Sequence, residues 1–190
     1  MLHVIIALFV AQPIQCPADI IFVLDESGSI RLANYNLMKS FVSQLVSRMD
    51  IDSGNTRVAL VTFGTNVRSH FNFTTYTTVA SVQAAVSRLS YLGGGTDTDR
   101  ALAYVRSSLL TSAADDRSDV PNVVVVFTDG RSSNASLTQV SVSQSCSLPN
   151  VNYTHSCGQK VSPYFCRIFT RGEPMTLKII LIVAQPYQCY

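Results

Sequence analysis

Two short, unbroken apolar runs constrain this chain more than any other feature. Asp19-Ile20-Ile21-Phe22-Val23-Leu24 runs into Asp25, and Asn122-Val123-Val124-Val125-Val126-Phe127-Thr128 runs into Asp129-Gly130. Runs of this length without polar alternation read as strands buried on both faces, as in a parallel sheet lying under helices. Arg57–Phe63, closed by Gly64, reads as a third strand. Val67–Phe73 alternates and follows after three residues, which predicts a hairpin partner at a sheet edge. Between the strands the apolar period changes to that of a helix. Tyr35, Met38, Phe41, Val42, Leu45, Val46 and Met49 place an amphipathic helix over about Leu32 to Arg48. Val79, Val82, Val86 and Leu89 space a second helix, and Ala101, Leu102, Val105 and Leu109 a third. Strands alternating with such helices predict an α/β fold, a mostly parallel sheet with helices on both faces.

Charge and length remove several function classes. The 190 residues suffice for one domain with a real core, and 47% are hydrophobic against 14% charged. A net charge of +2 provides no basic field for a nucleic acid. No apolar run reaches the ~18 residues of a membrane span. Residues 1–16 read as a secretory signal peptide, with Leu2–Ala11 apolar and His3 in place of the usual Lys or Arg. The expected location is secreted. Asn72, Asn134 and Asn152 each open an Asn-x-Ser/Thr sequon and are glycosylation candidates. Cys16, Cys146, Cys157, Cys166 and Cys189 include no Cys-x-x-Cys pair, which argues against zinc-ribbon or thioredoxin chemistry and, in an exported chain, for disulfides. Val10–Cys16 returns almost unchanged as Val183–Cys189, behind a basic start and an apolar stretch. The second copy reads as a duplicated neighbour or a faulty gene boundary, or else as a buried strand over 175–184.

In a parallel sheet, ligands bind outside the carboxyl ends of the strands. The polar clusters of this chain fall there. The first strand enters Asp25-Glu26-Ser27-Gly28-Ser29, the loop Tyr91-Leu92-Gly93-Gly94-Gly95 presents Thr96, and the last strand enters Thr128-Asp129-Gly130. Asp25, Ser27, Ser29, Thr96 and Asp129 together offer two carboxylates and three hydroxyls, with no His, Cys or Lys. An all-oxygen set suits a hard divalent cation, Mg²⁺ or Mn²⁺ more than zinc. Two carboxylates balance the ion's charge and the hydroxyls add none, so the metal stays electrophilic toward an incoming carboxylate.

Asp25-x-Ser27-x-Ser29 after an apolar strand, Gly93-Gly94-Gly95-Thr96-Asp97-Thr98-Asp99, and the run into Asp129-Gly130 resemble the metal-ion-dependent adhesion site of the von Willebrand factor type A domain. Pro17–Ile30 is most similar to the matrilin and collagen VI branch of extracellular-matrix members. The resemblance implies a Rossmann-like sheet with one antiparallel edge strand. It also implies hydroxyl ligands at Ser27, Ser29 and Thr96, with direct or water-mediated binding by Asp25 and Asp129. The implied partner is an extracellular protein, such as collagen or another matrix glycoprotein, that completes the metal shell with a Glu or Asp. The motif resemblance covers 17–133. Residues 134–190 depart from the pattern as a Cys-containing segment that could supply one more strand at 175–184.

Blander readings compete at single positions. Ser27 or Ser29 alone would pass for a helix cap. Glu26 points away from its neighbours by alternation and reads as a solvated side chain. Asp97 and Asp99 read as a cap and solvated charges for the helix after them, His70 as surface, and Asp115-Asp116-Arg117 as a solvated loop. His155 has no partner at ligand spacing. A structural matrix domain with a vestigial metal site is the alternative function. An Mg²⁺-dependent phosphatase is the enzymatic one, but it needs a second Asp where this chain has Ser27, and a Lys for the phosphate; a Ser-His-Asp hydrolase is disfavoured as well, because Gly-x-Ser-x-Gly is absent. Asp25→Ala is expected to abolish metal-dependent adhesion and to cost little stability, because it relieves a charged cluster.

Overall fold

A computed structural model of the protein describes residues 17–129, Ser133, and the backbone of two strands at 167–169 and 178–183. In chain order the elements are β1 (Ala18–Asp25), α1 (Arg31–Val46), β2 (Thr56–Phe63), β3 (Val67–Phe71), α2 (Val79–Ser87), α3 (Thr98–Tyr104), β4 (Asn122–Thr128), β5 (Arg167–Phe169) and β6 (Lys178–Val183). They form one six-stranded sheet in the order β3-β2-β1-β4-β6-β5. β1 lies at its centre, parallel to both β2 and β4. β3 is the expected antiparallel edge strand beside β2.

A second antiparallel strand extends the other side. β6 runs antiparallel to β4, from Val123 opposite Val183 to Thr128 opposite Lys178, and β5 pairs antiparallel with β6. The apolar run at 175–184 therefore contributes strand backbone over Lys178–Val183. The signal-peptide segment, the five cysteines, Asn134, Asn152 and His155 lie outside the described residues.

The two faces of β1 divide the core. Ile20, Phe22 and Leu24 point to the side covered by α1 and α2, where Tyr35, Met38, Val42, Val82 and Val86 are buried. Ile21 and Val23 point to the other side, against Ala101, Leu102, Val105 and Leu109. All eight β1 residues are buried, as a continuous apolar run under two helical layers requires. Phe127 links the first layer, with its ring centroid 6.4 Å from that of Phe22 and 5.7 Å from that of Phe41. α2 opens with a capping box, in which Thr78 and Ser81 bond each other's backbone N–H through their side chains. α3 ends in a widened π turn over Val105–Leu109, so the helical apolar spacing persists to Leu109.

At the amino ends of the parallel strands an ion pair closes the sheet. The buried Asp19 carboxylate accepts hydrogen bonds from the Arg117 backbone N–H (3.1 Å) and from its Nε (3.0 Å) and Nη2. Arg117 also donates to the carbonyls of Ala18, Gly54 and Asn55. The segment 115–117 is thus a clasp and not a solvated loop, because a carboxylate buried at Asp19 requires a charged partner. His70 is half-buried and hydrogen-bonded to Thr62 Oγ1 at 2.9 Å, not simply on the surface. Burial, and then the nearby Arg68 charge, hold its pKa below the ordinary value.

Candidate metal centre

Three chain segments meet at the carboxyl ends of β1 and β4. The first is the turn that follows β1. Asp25 is fully buried, Ser27 is buried and Ser29 half-buried. Asp25 Oδ1 accepts the Ser27 backbone N–H at 2.8 Å, which curls the chain so that the next side chains face the same point. Ser27 Oγ and Ser29 Oγ then stand 3.2 Å apart. Adjacent ligands of an octahedral ion with bonds of about 2.1 Å lie about 3.0 Å apart, so this hydroxyl pair matches one edge of such a shell.

The second segment carries Thr96, which is buried. Its loop is tied to the first by two hydrogen bonds. Gly28 N–H donates to the Gly94 carbonyl at 2.9 Å, and Tyr91 Oη–H donates to the Ser27 carbonyl at 2.9 Å. Gly94 has φ +103°, and a Cβ there would lie 2.8 Å from Thr65 Oγ1, so both conformation and space demand glycine. Ser133 holds Thr96 from the other side. Its N–H donates to the Thr96 carbonyl at 2.8 Å, and its Oγ accepts from the Thr96 N–H at 3.2 Å.

The third segment is the end of β4. Thr128 Oγ1–H donates to Asp25 Oδ2 at 2.7 Å, and Asp129, half-buried, follows directly. Burial pushes the Asp25 carboxyl above its ordinary range, the bonds from Ser27 and Thr128 pull it down, and the Asp129 charge pushes it up again. A divalent cation beside these two carboxylates would offset the cost of burying the Asp25 charge. Among the described residues, no group of three or more His, Cys, Asp and Glu could hold a metal. A cation here would therefore rest on two carboxylates plus hydroxyls and water, a donor set that suits a hard ion. The residues fit the group on donor chemistry, hydroxyl spacing and charge.

Some side chains around the centre were not legible beforehand. Thr128 stands in the polar cluster that ends β4, but its bond to Asp25 could not be read from it, and Tyr91 and Ser133 carry no motif of their own. Glu26 does point away from Asp25 and Ser27, but into the protein. It is 2% exposed and forms a forked ion pair with Arg68, whose Nε lies 3.0 Å from Glu26 Oε1 and whose Nη2 bonds Oε2. The solvated reading fails because Arg68, on β3, fills the space outside the turn. Asp97 stands at the N-cap position of α3 without a side-chain cap bond, and pairs instead with Arg100 at 3.6 Å.

Comparison with known proteins gives this geometry a lineage. The family model of the von Willebrand factor type A domain matches residues 19–154, which runs past the point where the motif resemblance ends. Matrilin-1 of Gallus gallus is 36% identical over 114 residues, 60% of this chain and 23% of that protein. Matrilin-4 of Homo sapiens is 39% identical over 117 residues, 60% of this chain and 19% of that protein. The chain thus spans about a quarter or less of the length of these relatives. Proximal thread matrix protein 1 from the mussel byssus, in a structure with a zinc-occupied adhesion motif, superposes with TM-score 0.63 at 26% identity. That match covers 68% of this chain and 35% of that one. Matrilins are secreted proteins of the extracellular matrix, and this chain shares that setting. Among the described residues, no helix is long and apolar enough to cross a membrane. With the family model matched over most of the chain and the fold shared, this chain belongs to the von Willebrand factor type A domain family, and within it is similar in sequence to the matrilins.

Proposed function

We propose that this chain is an extracellular adhesion module. It holds one divalent cation, Mg²⁺ or Mn²⁺, with Asp25, Ser27, Ser29, Thr96 and Asp129, and engages a Glu or Asp of a matrix protein such as collagen or another matrix glycoprotein. The observation that carries this reading is the pair of serine hydroxyls 3.2 Å apart beside a fully buried aspartate. When bound, the ion supplies a positive centre that an acidic side chain of the partner can complete. The protein's own part is to orient the oxygens. The Ser27 N–H and Thr128 hydroxyl hold both oxygens of Asp25, and the Gly28–Gly94 bond holds the two loops together. The zinc in the mussel protein's motif makes Zn²⁺ a third ion to test. In this reading the function is binding and not turnover, and position 27 carries a hydroxyl where an Mg²⁺-dependent phosphatase of the haloacid dehalogenase type has its second Asp. Asn72, exposed after β3, is the proposed glycan site; Thr74 of its sequon bonds Asp115, whose carbonyl accepts from Arg57 at the start of β2, away from the centre.

Calorimetry with Mg²⁺, Mn²⁺ and Zn²⁺, together with capture on immobilised collagen and matrix glycoproteins, tests the reading. Expected are cation binding and capture that EDTA abolishes and re-added cation restores. Absence of binding to all three ions would leave a vestigial site, and cation-dependent hydrolysis of a phosphate ester would make the chain an enzyme.

A further inference from the structure

The β2–β3 hairpin contributes no ligand to the proposed centre, yet it touches both loops that form it. Three of its contacts come from the end of β2 and the turn after it. Glu26 N–H donates to the Phe63 carbonyl at 2.8 Å, Asp97 N–H to the Gly64 carbonyl at 2.9 Å, and Gly95 N–H to Thr65 Oγ1 at 2.9 Å. The fourth is the Arg68 guanidinium. It grips both oxygens of Glu26 and also donates Nη2–H to the Ser90 carbonyl at 2.9 Å, immediately before Tyr91. Glu26 lies between the ligands Asp25 and Ser27, and Tyr91 bonds the Ser27 carbonyl. One side chain on an edge strand thus clamps the peptide between two ligands and the start of the loop that carries a third.

We infer that Arg68 is a positioning residue of the adhesion site, which holds the Asp25–Ser29 turn and the Ser90–Thr96 loop in register through its fork to Glu26. The inference rests on the proposed metal-binding function for its consequence, but not for its geometry. A planar fork fixes direction as well as distance, which a lysine in the same place does not. Glu26 is fastened twice, by its backbone to Phe63 and by its side chain to Arg68, so the peptides on either side of it have little freedom to rotate. Outer-shell partners of metal ligands typically change affinity by about 10–100-fold when removed.

Charge and position must be separated in the test. Arg68→Met alone leaves Glu26 negative beside the centre, and that field favours a cation. The variant E26Q/R68M removes both charges and leaves the net charge of the pair unchanged. Mg²⁺ titration of the full chain is expected to show about tenfold weaker binding or worse in E26Q/R68M, with Arg68→Lys falling between it and the parent. Amide hydrogen exchange in EDTA supplies a readout without metal. The Ser27, Gly28 and Gly95 amides are expected to exchange about tenfold faster in E26Q/R68M, while those of Phe22 and Val23 at the centre of β1 keep the parent rate. Unchanged loop exchange, or equal acceleration throughout the sheet, would overturn the positioning role, as would parent-like Mg²⁺ affinity in E26Q/R68M. If the parent chain binds no cation, the proposed function fails, and the brace stands or falls on the exchange data alone.

Discussion

Replacing Asp25 by Ala or by Asn separates the bonding and charge roles of one side chain. The carboxylate is fully buried, with Oδ1 accepting from the Ser27 backbone N–H and Oδ2 from Thr128 Oγ1–H. Both substitutions remove a buried anion that sits near the charge of Asp129. Asn keeps an oxygen for the Ser27 N–H and turns an amide group toward Thr128, whose hydroxyl can accept. Ala removes the acceptor from both donors. The Thr128 hydroxyl can rotate to another acceptor, but the Ser27 amide cannot, and an unsatisfied buried donor costs about 1–3 kcal/mol. In EDTA, urea denaturation should therefore find Asp25→Ala less stable than Asp25→Asn by about 1–3 kcal/mol, with Asp25→Asn no less stable than the parent. The expectation that truncation costs little counted only the relief of charge, whereas Ala also strands a backbone donor. Cation in hundredfold excess over its dissociation constant should stabilise the parent by about 2.7 kcal/mol and neither variant. Equal stability of Ala and Asn in EDTA would refute the bonding account. A full cation-induced gain in Asp25→Asn would remove Asp25 from the metal shell.

Three further outcomes follow from other parts of the fold. Arg117→Met should cost about 3–5 kcal/mol in urea denaturation by leaving the Asp19 charge buried and unpaired, and adding Asp19→Asn should restore part of it. Tyr35 Oη is buried with no hydrogen-bond partner among the described residues, and burial followed by the Glu26 charge pushes its pKa up. Tyr35→Phe should therefore leave the melting temperature unchanged or raise it, by up to about 1 kcal/mol of stability, and a loss of that size would mean that the hydroxyl is bonded after all. His70 has a folded pKa below its ordinary 6.5, so the unfolded chain takes up the proton first. Its contribution is complete above pH 6.5 and is lost as the pH falls from there through the folded value. His70→Gln should flatten that part of the stability profile relative to the parent, and identical profiles would contradict the burial of the ring.

The residues alone determined the layered core and the chemistry of the centre. The uninterrupted runs before Asp25 and Asp129 became strands buried on both faces, and the spacing from Tyr35 to Val46 became the buried stripe of α1. These features depend only on near neighbours along the chain, because periods of two and 3.6 decide which side of a strand or helix is apolar. The donor types were equally local, since a side chain brings its oxygen wherever it goes. Tertiary structure alone decided what each buried charge meets. Alternation aimed Glu26 correctly, but only the register of β3 beside β2 puts Arg68, 42 residues away, in the space it enters. Asp19 meets Arg117 across 98 residues for the same reason. The antiparallel course of β6 beside β4 is also a property of the assembled sheet, because an apolar run is compatible with either direction.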